Sequence, residues 1–297
     1  MTASKSKPNG RTGGSSVAGG RGGLGLPVLV AAVVVALLVG ALFGKLVLGG
    51  GMPAAAFAGQ TSVSEADLGR VIATYTYDGK TETVTVRDAI ESQASLDSVK
   101  ADDGTYTLPS ADAAIAVARN RILAKVAEDK GITVSDDELP EYVQKIGGAS
   151  DIATLAQSYG LTEDEATEIV RESALMWKLK DEVTSTKAGD APTAPEAPSD
   201  GSSDTANATY GAYVIGLLGD EWDSDNNTWA RQDGPFYQAL KDETFSADSA
   251  TYAQAQMAYY VAYQQYVTNS KTSTSEWTQY VNGILSKASI QVVTLTA

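Results

Sequence analysis

One stretch limits this chain more than any other: an uncharged apolar run of 21 residues, from Leu24 to Gly44. A helix needs roughly 20 such residues to cross the hydrocarbon core of a bilayer. Lys5, Lys7, Arg11 and Arg21 precede the run, and no acidic residue occurs before Glu65. Basic residues hold the near end of a first membrane helix in the cytoplasm. The sequence therefore predicts a cytoplasmic tail over 1–23, a single-pass anchor over 24–48 and an extracytoplasmic remainder. The tail is rich in Gly, Ser, Lys and Arg without apolar periodicity, as expected of disorder. A cleaved signal peptide is the competing reading, because Ala56-Phe57-Ala58 has the small-x-small form of a cleavage site. The lengths of the run and of the tail favour a retained anchor, and either reading exports the rest. Gly40 and Gly44 have the spacing at which two membrane helices can approach closely.

The composition removes much chemistry. The chain has no cysteine and no histidine. Disulfides, thiol nucleophiles, Ser-His-Asp arrangements and the usual zinc sites are excluded. Beyond residue 52 there are 17 basic and 37 acidic residues, a net charge of −20. Such a surface repels nucleic acid and anionic lipid, and keeps a domain soluble. No nucleic-acid partner, no cofactor and no enzymatic activity are expected.

The exterior part reads as mainly α with a small sheet. Residues 49–68 form a tether of small residues. Residues 71–86 alternate around Asp78-Gly79-Lys80 and predict a β-hairpin, and 87–96 suits a short helix. A long amphipathic helix follows over 108–131, capped by Ser110, with Ile115, Ala118, Ile122, Leu123 and Val126 on one face. Lys130 and Gly131 end it. Ser135 and Glu138 then have capping-box spacing. Pro140 leaves two registers open: a helix capped by Ser135, or one starting at Asp137 with the proline in its first turn. Leu139, Tyr142, Val143 and Ile146 make its apolar face. Residues 151–160 form a short helix. Thr162 and Glu165 cap another, running to Val183 with Ile169, Leu175, Met176 and Leu179 as its apolar face. Residues 184–208, rich in Pro, Ala, Ser and Asp, form a linker. The section 209–297 carries a helix at 210–222, a polar loop, two further helices at 246–267 and 275–288, and a closing strand. That strand is expected to pair with the hairpin across the linker.

The order hairpin, helix, Lys-Gly-Ile-x-Val-Ser-Asp-x-Glu at 130–138, and Gly-Leu-Thr at 160–162 resembles the N-terminal chaperone domain of the SurA/PrsA-type foldases. Val84, Thr85, Asp88, Lys130, Gly131, Ile132, Val134, Ser135, Asp136 and Glu138 carry the likeness, which covers about 71–183. The resemblance implies a helical lobe over 69–183, closed by the chain's last strand, that binds unfolded exported polypeptides. Many such foldases carry a histidine-dependent parvulin isomerase domain between the halves of the lobe. Here only the short linker stands there, so the resemblance implies polypeptide binding without isomerase activity.

Candidate binding residues are aromatic. Tyr252, Tyr259, Tyr263 and Tyr266 are spaced by 7, 4 and 3, one helical face. They suit either a groove for unfolded segments or a core between helices. Met176 and Trp177 carry the same two readings. Asp223-x-Asp225-x-Asn227 imitates the start of a calcium loop, yet Thr228 and Gly234 stand where an EF-hand needs Gly and Glu. A solvated loop and a looser calcium site are the two readings there. The expected function is a membrane-anchored extracytoplasmic chaperone. The alternative is a cell-envelope scaffold that holds one folded partner.

Overall fold

The computed structural model describes residues 57, 59–199 and 201–293. The expected tail over 1–23, the anchor over 24–48 and the first part of the tether lie outside the described residues. Among the described residues no helix is long and apolar enough to cross a membrane.

The described residues open with β1 (Ser62–Val63), a 3₁₀ turn (Glu65–Asp67), β2 (Val71–Tyr77) and β3 (Lys80–Thr85). Asp78 and Gly79 both take positive φ, 48° and 73°, which matches the twist of a two-residue hairpin turn. Helices α1 (Val86–Glu91) and α2 (Leu96–Val99) follow, then β4 (Tyr106–Thr107), which pairs with β1. Helix α3 (Ala111–Asp129) starts where the Ser110 hydroxyl accepts from the Ala113 amide, and a left-handed Gly131 closes it. The Gly131 and Ile132 amides reach back to the carbonyls of Glu128 and Ala127, a Schellman arrangement. The buried face of α3 centres on Ala114, Ala118, Ile122 and Leu123. Ile115, expected on that face, is only half-buried at its edge.

The two registers proposed around Pro140 hold only in part: Ser135 caps and Pro140 lies in a first turn, but the α-helix starts at Leu139 rather than at Asp137. Ser135 opens a single 3₁₀ turn (Asp136–Glu138), and the Glu138 carboxylate accepts from its amide and hydroxyl. Helix α4 (Leu139–Gly147) begins after it, with Pro140 in the first turn, where no amide donor is missed. Helix α5 (Ile152–Tyr159) precedes α6 (Glu163–Val183), which has the full Thr162–Glu165 capping box. The buried residues of α6 are Ala166, Val170, Ser173, Ala174, Met176 and Leu179. Ile169 is exposed, so the apolar face sits one position from the expected one. Ala166 and Ala174 are fully buried on that face, and such small side chains let α6 pack closely.

After an extended segment come α7 (Ala208–Leu218), a 3₁₀ turn (Gly219–Glu221), β5 (Trp222–Asp223), β6 (Thr228–Trp229), α8 (Pro235–Leu240), α9 (Tyr252–Leu285) and β7 (Ser289–Val292). The two helices expected at 246–267 and 275–288 are one 34-residue helix, α9. Thr268 and Thr272, which look like a break, turn their hydroxyls onto the carbonyls of Gln264 and Thr268 and stay inside the helix.

The closing strand pairs as expected. β7 lies antiparallel to β2 from Ala73↔Val292 to Thr76↔Ser289, making a three-stranded sheet in the order β3-β2-β7. Its inner face packs on α3 around Ile72, Val84 and Val86. A neighbouring cluster joins Leu123, Val126, Met176 and Leu179 to Trp277 and Val281 of α9. Leu139, Val143, Leu155 and Val170 form a small core among α4, α5 and α6. A separate core, from Tyr210 to Ala262, is built by α7, α8, the first turns of α9 and the aromatic loop between them.

Candidate functional site

The long helix α9 joins two cores. Its first turns bury Gln254, Ala255 and Ala258, and its last turns bury Ser273, Trp277 and Val281. No side chain between 259 and 272 is fully buried. These 14 residues span about 21 Å of helix. Tyr259, Tyr263 and Tyr266 form a ladder along this stretch, with ring centroids 5.9 Å and 6.3 Å apart. Tyr260 stands beside it, 5.7 Å from Tyr259. Tyr260 is 59% exposed and Tyr263 40%, a large aromatic surface open to solvent.

The other candidates lie elsewhere. Tyr252 belongs to the second core, 5.6 Å from the ring of Tyr210. Met176 is buried in the cluster of α3, α6 and α9 with Leu179 and Trp277. Trp177 is half-buried, with Lys180 Nζ 5.7 Å from its ring centroid. Its indole N–H is buried without a hydrogen-bond partner. Burial lowers the Lys180 pKa. The six candidates therefore divide into a surface ladder, one tyrosine wedged between helices and a Met-Trp pair at the lobe's core.

The stretch around Asp223 is a β-hairpin. The Asp223 carboxylate accepts from the amides of Asp225 and Asn226 and from the Asn226 side chain, and these bonds hold its pKa low. Asn227 supplies the left-handed turn residue. Among the described residues no group of three or more Asp or Glu side chains is placed to hold a metal ion.

Three features escaped the sequence reading. The first is an aromatic knot. Trp222 meets Trp229 edge to face at 5.3 Å, and Phe245 and Tyr237 complete it. The second is Glu221, 2% exposed, whose carboxylate accepts from the Tyr237 amide at the start of α8. A Cβ at Gly234 would sit 2.0 Å from the Glu221 carboxyl carbon, so a side chain there would push the carboxylate aside. The third is the segment 184–207. Among its described residues there is neither helix nor strand before a bridge at Asn207, yet these residues are fastened at several points. Glu276 holds Ser185 and Thr186, the hydroxyls of Tyr213 and Tyr210 donate to the carbonyls of Thr193 and Glu196, and the Ala253 amide donates to Ser203.

The stretch 128–143 is also pinned. Arg171 bonds Asp136 and the Val134 carbonyl, and Lys178 bonds Glu138 and the Thr133 carbonyl. Lys178, with the Ser135 amide and hydroxyl, draws Glu138 down to about 2. These contacts set how α4 leaves α3 against α6.

Comparison with protein-family models, with curated proteins and with solved structures finds no match. What the fold defines is a mainly α protein with small antiparallel sheets.

Proposed function

We propose that this protein is a membrane-tethered extracytoplasmic chaperone that holds unfolded exported polypeptides and has no prolyl isomerase activity. The observation that carries the reading is the tyrosine ladder at 259–266 with Tyr260 beside it, Tyr260 and Tyr263 exposed and the other rings half-buried, on a helix between two cores. Tyrosine offers a broad apolar face and a polar tip at low entropic cost. A row of such rings on an open surface suits extended segments of varied sequence. Apolar burial supplies the driving force, and the acidic surface favours basic clients. The likeness of 71–183 to the SurA/PrsA-type foldases points the same way. A chain without histidine lacks the groups of a parvulin site. The retained anchor gains support from Phe57, which is fully buried in the sheet-side core under the Arg70 guanidinium, 4.0 Å from its ring centroid. Cleavage after Ala58 would remove a core residue.

The test uses residues 57–297 with a chemically unfolded client. The expected result is suppressed aggregation, weakened severalfold by Tyr260→Ala with Tyr263→Ala, and no acceleration of a proline-limited refolding reaction. Failure to suppress aggregation at several-fold molar excess would overturn the chaperone reading in favour of a scaffold. Acceleration of the proline-limited phase would overturn the absence of isomerase activity.

A further inference from the structure

The segment between α6 and α7 carries prolines at 192, 195 and 198. A spacing of three is the turn of a polyproline II helix. Burial along the segment has the same period. Pro192, Pro195 and Pro198 are half-buried, whereas Ala191, Thr193, Ala194, Glu196 and Ala197 are exposed. The hydrogen bonds repeat it again. The Tyr213 hydroxyl donates to the Thr193 carbonyl at 2.7 Å, and the Tyr210 hydroxyl donates to the Glu196 carbonyl at 2.8 Å. These tyrosines are themselves one helical turn apart on α7. A polyproline II helix makes no internal hydrogen bonds, so its carbonyls are open to outside donors. Aromatic surfaces with donor tips are how proline-rich segments are read.

Tethering alone does not account for this docking. The path along α9 from Glu276, which holds Thr186, back to Ala253, which holds Ser203, is 23 residues of helix, about 35 Å. The 17 residues from 186 to 203 would cover about 53 Å as polyproline II. The segment has slack, and tension does not press its prolines onto α7.

We propose that the tyrosine face of α7 is a binding site for polyproline II peptides of the form Pro-x-x-Pro-x-x-Pro, occupied here by the chain's own residues 192–198. The residues between the prolines face solvent and offer only their carbonyls, so the site selects proline spacing and tolerates any small or polar residue between. The bound segment competes at the millimolar effective concentration of a short tether, which masks the site from peptides in solution. Helices α7 and α9 pack on each other, so the site lies on the same side of the molecule as the helix that carries the ladder. The proposal holds whether the protein is a chaperone or a scaffold.

The test titrates full-length protein in detergent micelles against a fluorescein-labelled peptide with the sequence of residues 190–199, followed by anisotropy. Replacing all three prolines by serine (P192S, P195S, P198S) should tighten peptide binding at least about tenfold over the wild type. Adding Tyr210→Phe and Tyr213→Phe, which keep both rings, should weaken it again by about tenfold. A peptide with serine for every proline should not bind. Equal peptide binding by wild type and a folded proline variant would overturn the proposal, as would equal binding of the proline-free peptide. A second measurement needs no strap variant. A nitroxide on Ala194→Cys, an outward position, should be immobile in the otherwise wild-type chain and sharpen when Tyr210→Phe and Tyr213→Phe are added. An unchanged line shape would also overturn it.

Discussion

Glu276 and Glu221 show two ways a carboxylate can organise the chain around it. Glu221 is buried and binds the first amides of α8, a partner only 16 residues away. Glu276 is half-buried on α9, and four donors converge on it: the amides of Ser185 and Thr186 at 2.7 Å and 3.0 Å, and their hydroxyls at 2.8 Å and 2.9 Å. Those bonds, the Thr186 amide foremost, draw its pKa from 4.5 down to about 2. A carboxylate that is more acidic in the folded state stabilises that state fully above its ordinary pKa. The contribution shrinks as pH falls from 4.5 and is gone below about 2. The amide signals of Ser185 and Thr186 should therefore titrate with a midpoint near 2 in the wild type and stay flat in Glu276→Gln, as NMR across pH 1.5–6 would read; a midpoint near the ordinary glutamate value would show that the clamp is not formed in solution. The sequence gives no sign of this clamp, because its partners lie about 90 residues apart. The local caps at Ser110, Thr162 and Ser135 were legible because their signals span three residues.

Among the elements, α9 departs furthest from its sequence pattern. Ser and Thr from 268 to 275 look like a boundary, since such residues compete for backbone groups outside helices. In the fold the Thr268 and Thr272 hydroxyls bond one turn back, and neither glycine nor proline interrupts the helix before Gly283. Continuity bears on the proposed binding surface, because the tyrosine ladder sits on the stretch that links the two cores. A chain without cysteine allows clean labelling at introduced thiols. Spin labels at Gln264→Cys and Gly283→Cys, both exposed positions, should give one narrow distance near 29 Å, the length of 19 helical residues. A broad distribution at shorter distances would mean two helices with a hinge. The proline period at 192–198 stood in the sequence as plainly as any helix pattern. It read as linker because the segment lacks an apolar face of helical or strand type, and because the tyrosines that receive it fall outside it.

The whole molecule is held together by chain segments that return from far away. β7 makes β2 a central strand, and Trp277, 1% exposed and stacked on Tyr280 at 6.1 Å, fills the space beside α3 and α6. The last described strand thus belongs to the lobe that the first described strands start, while residues 210–262 build a core of their own. Between the two, α9 has 14 residues with no fully buried side chain. A helical stretch held only by half-buried contacts is weakly stabilised, so it couples the cores weakly. Trp277→Ala removes a large buried ring and should cost the first lobe about 3–5 kcal/mol. The second core should keep its own stability. Trp177→Phe in the same chain leaves Trp222 and Trp229, both in the second core, as the sole indoles. In denaturant, helix content followed by circular dichroism should then begin to fall well before the indole fluorescence changes. Coincident transitions, both lowered by the same amount, would show instead that the extended segment and its clamps at Glu276 and the two tyrosines bind the cores into one cooperative unit.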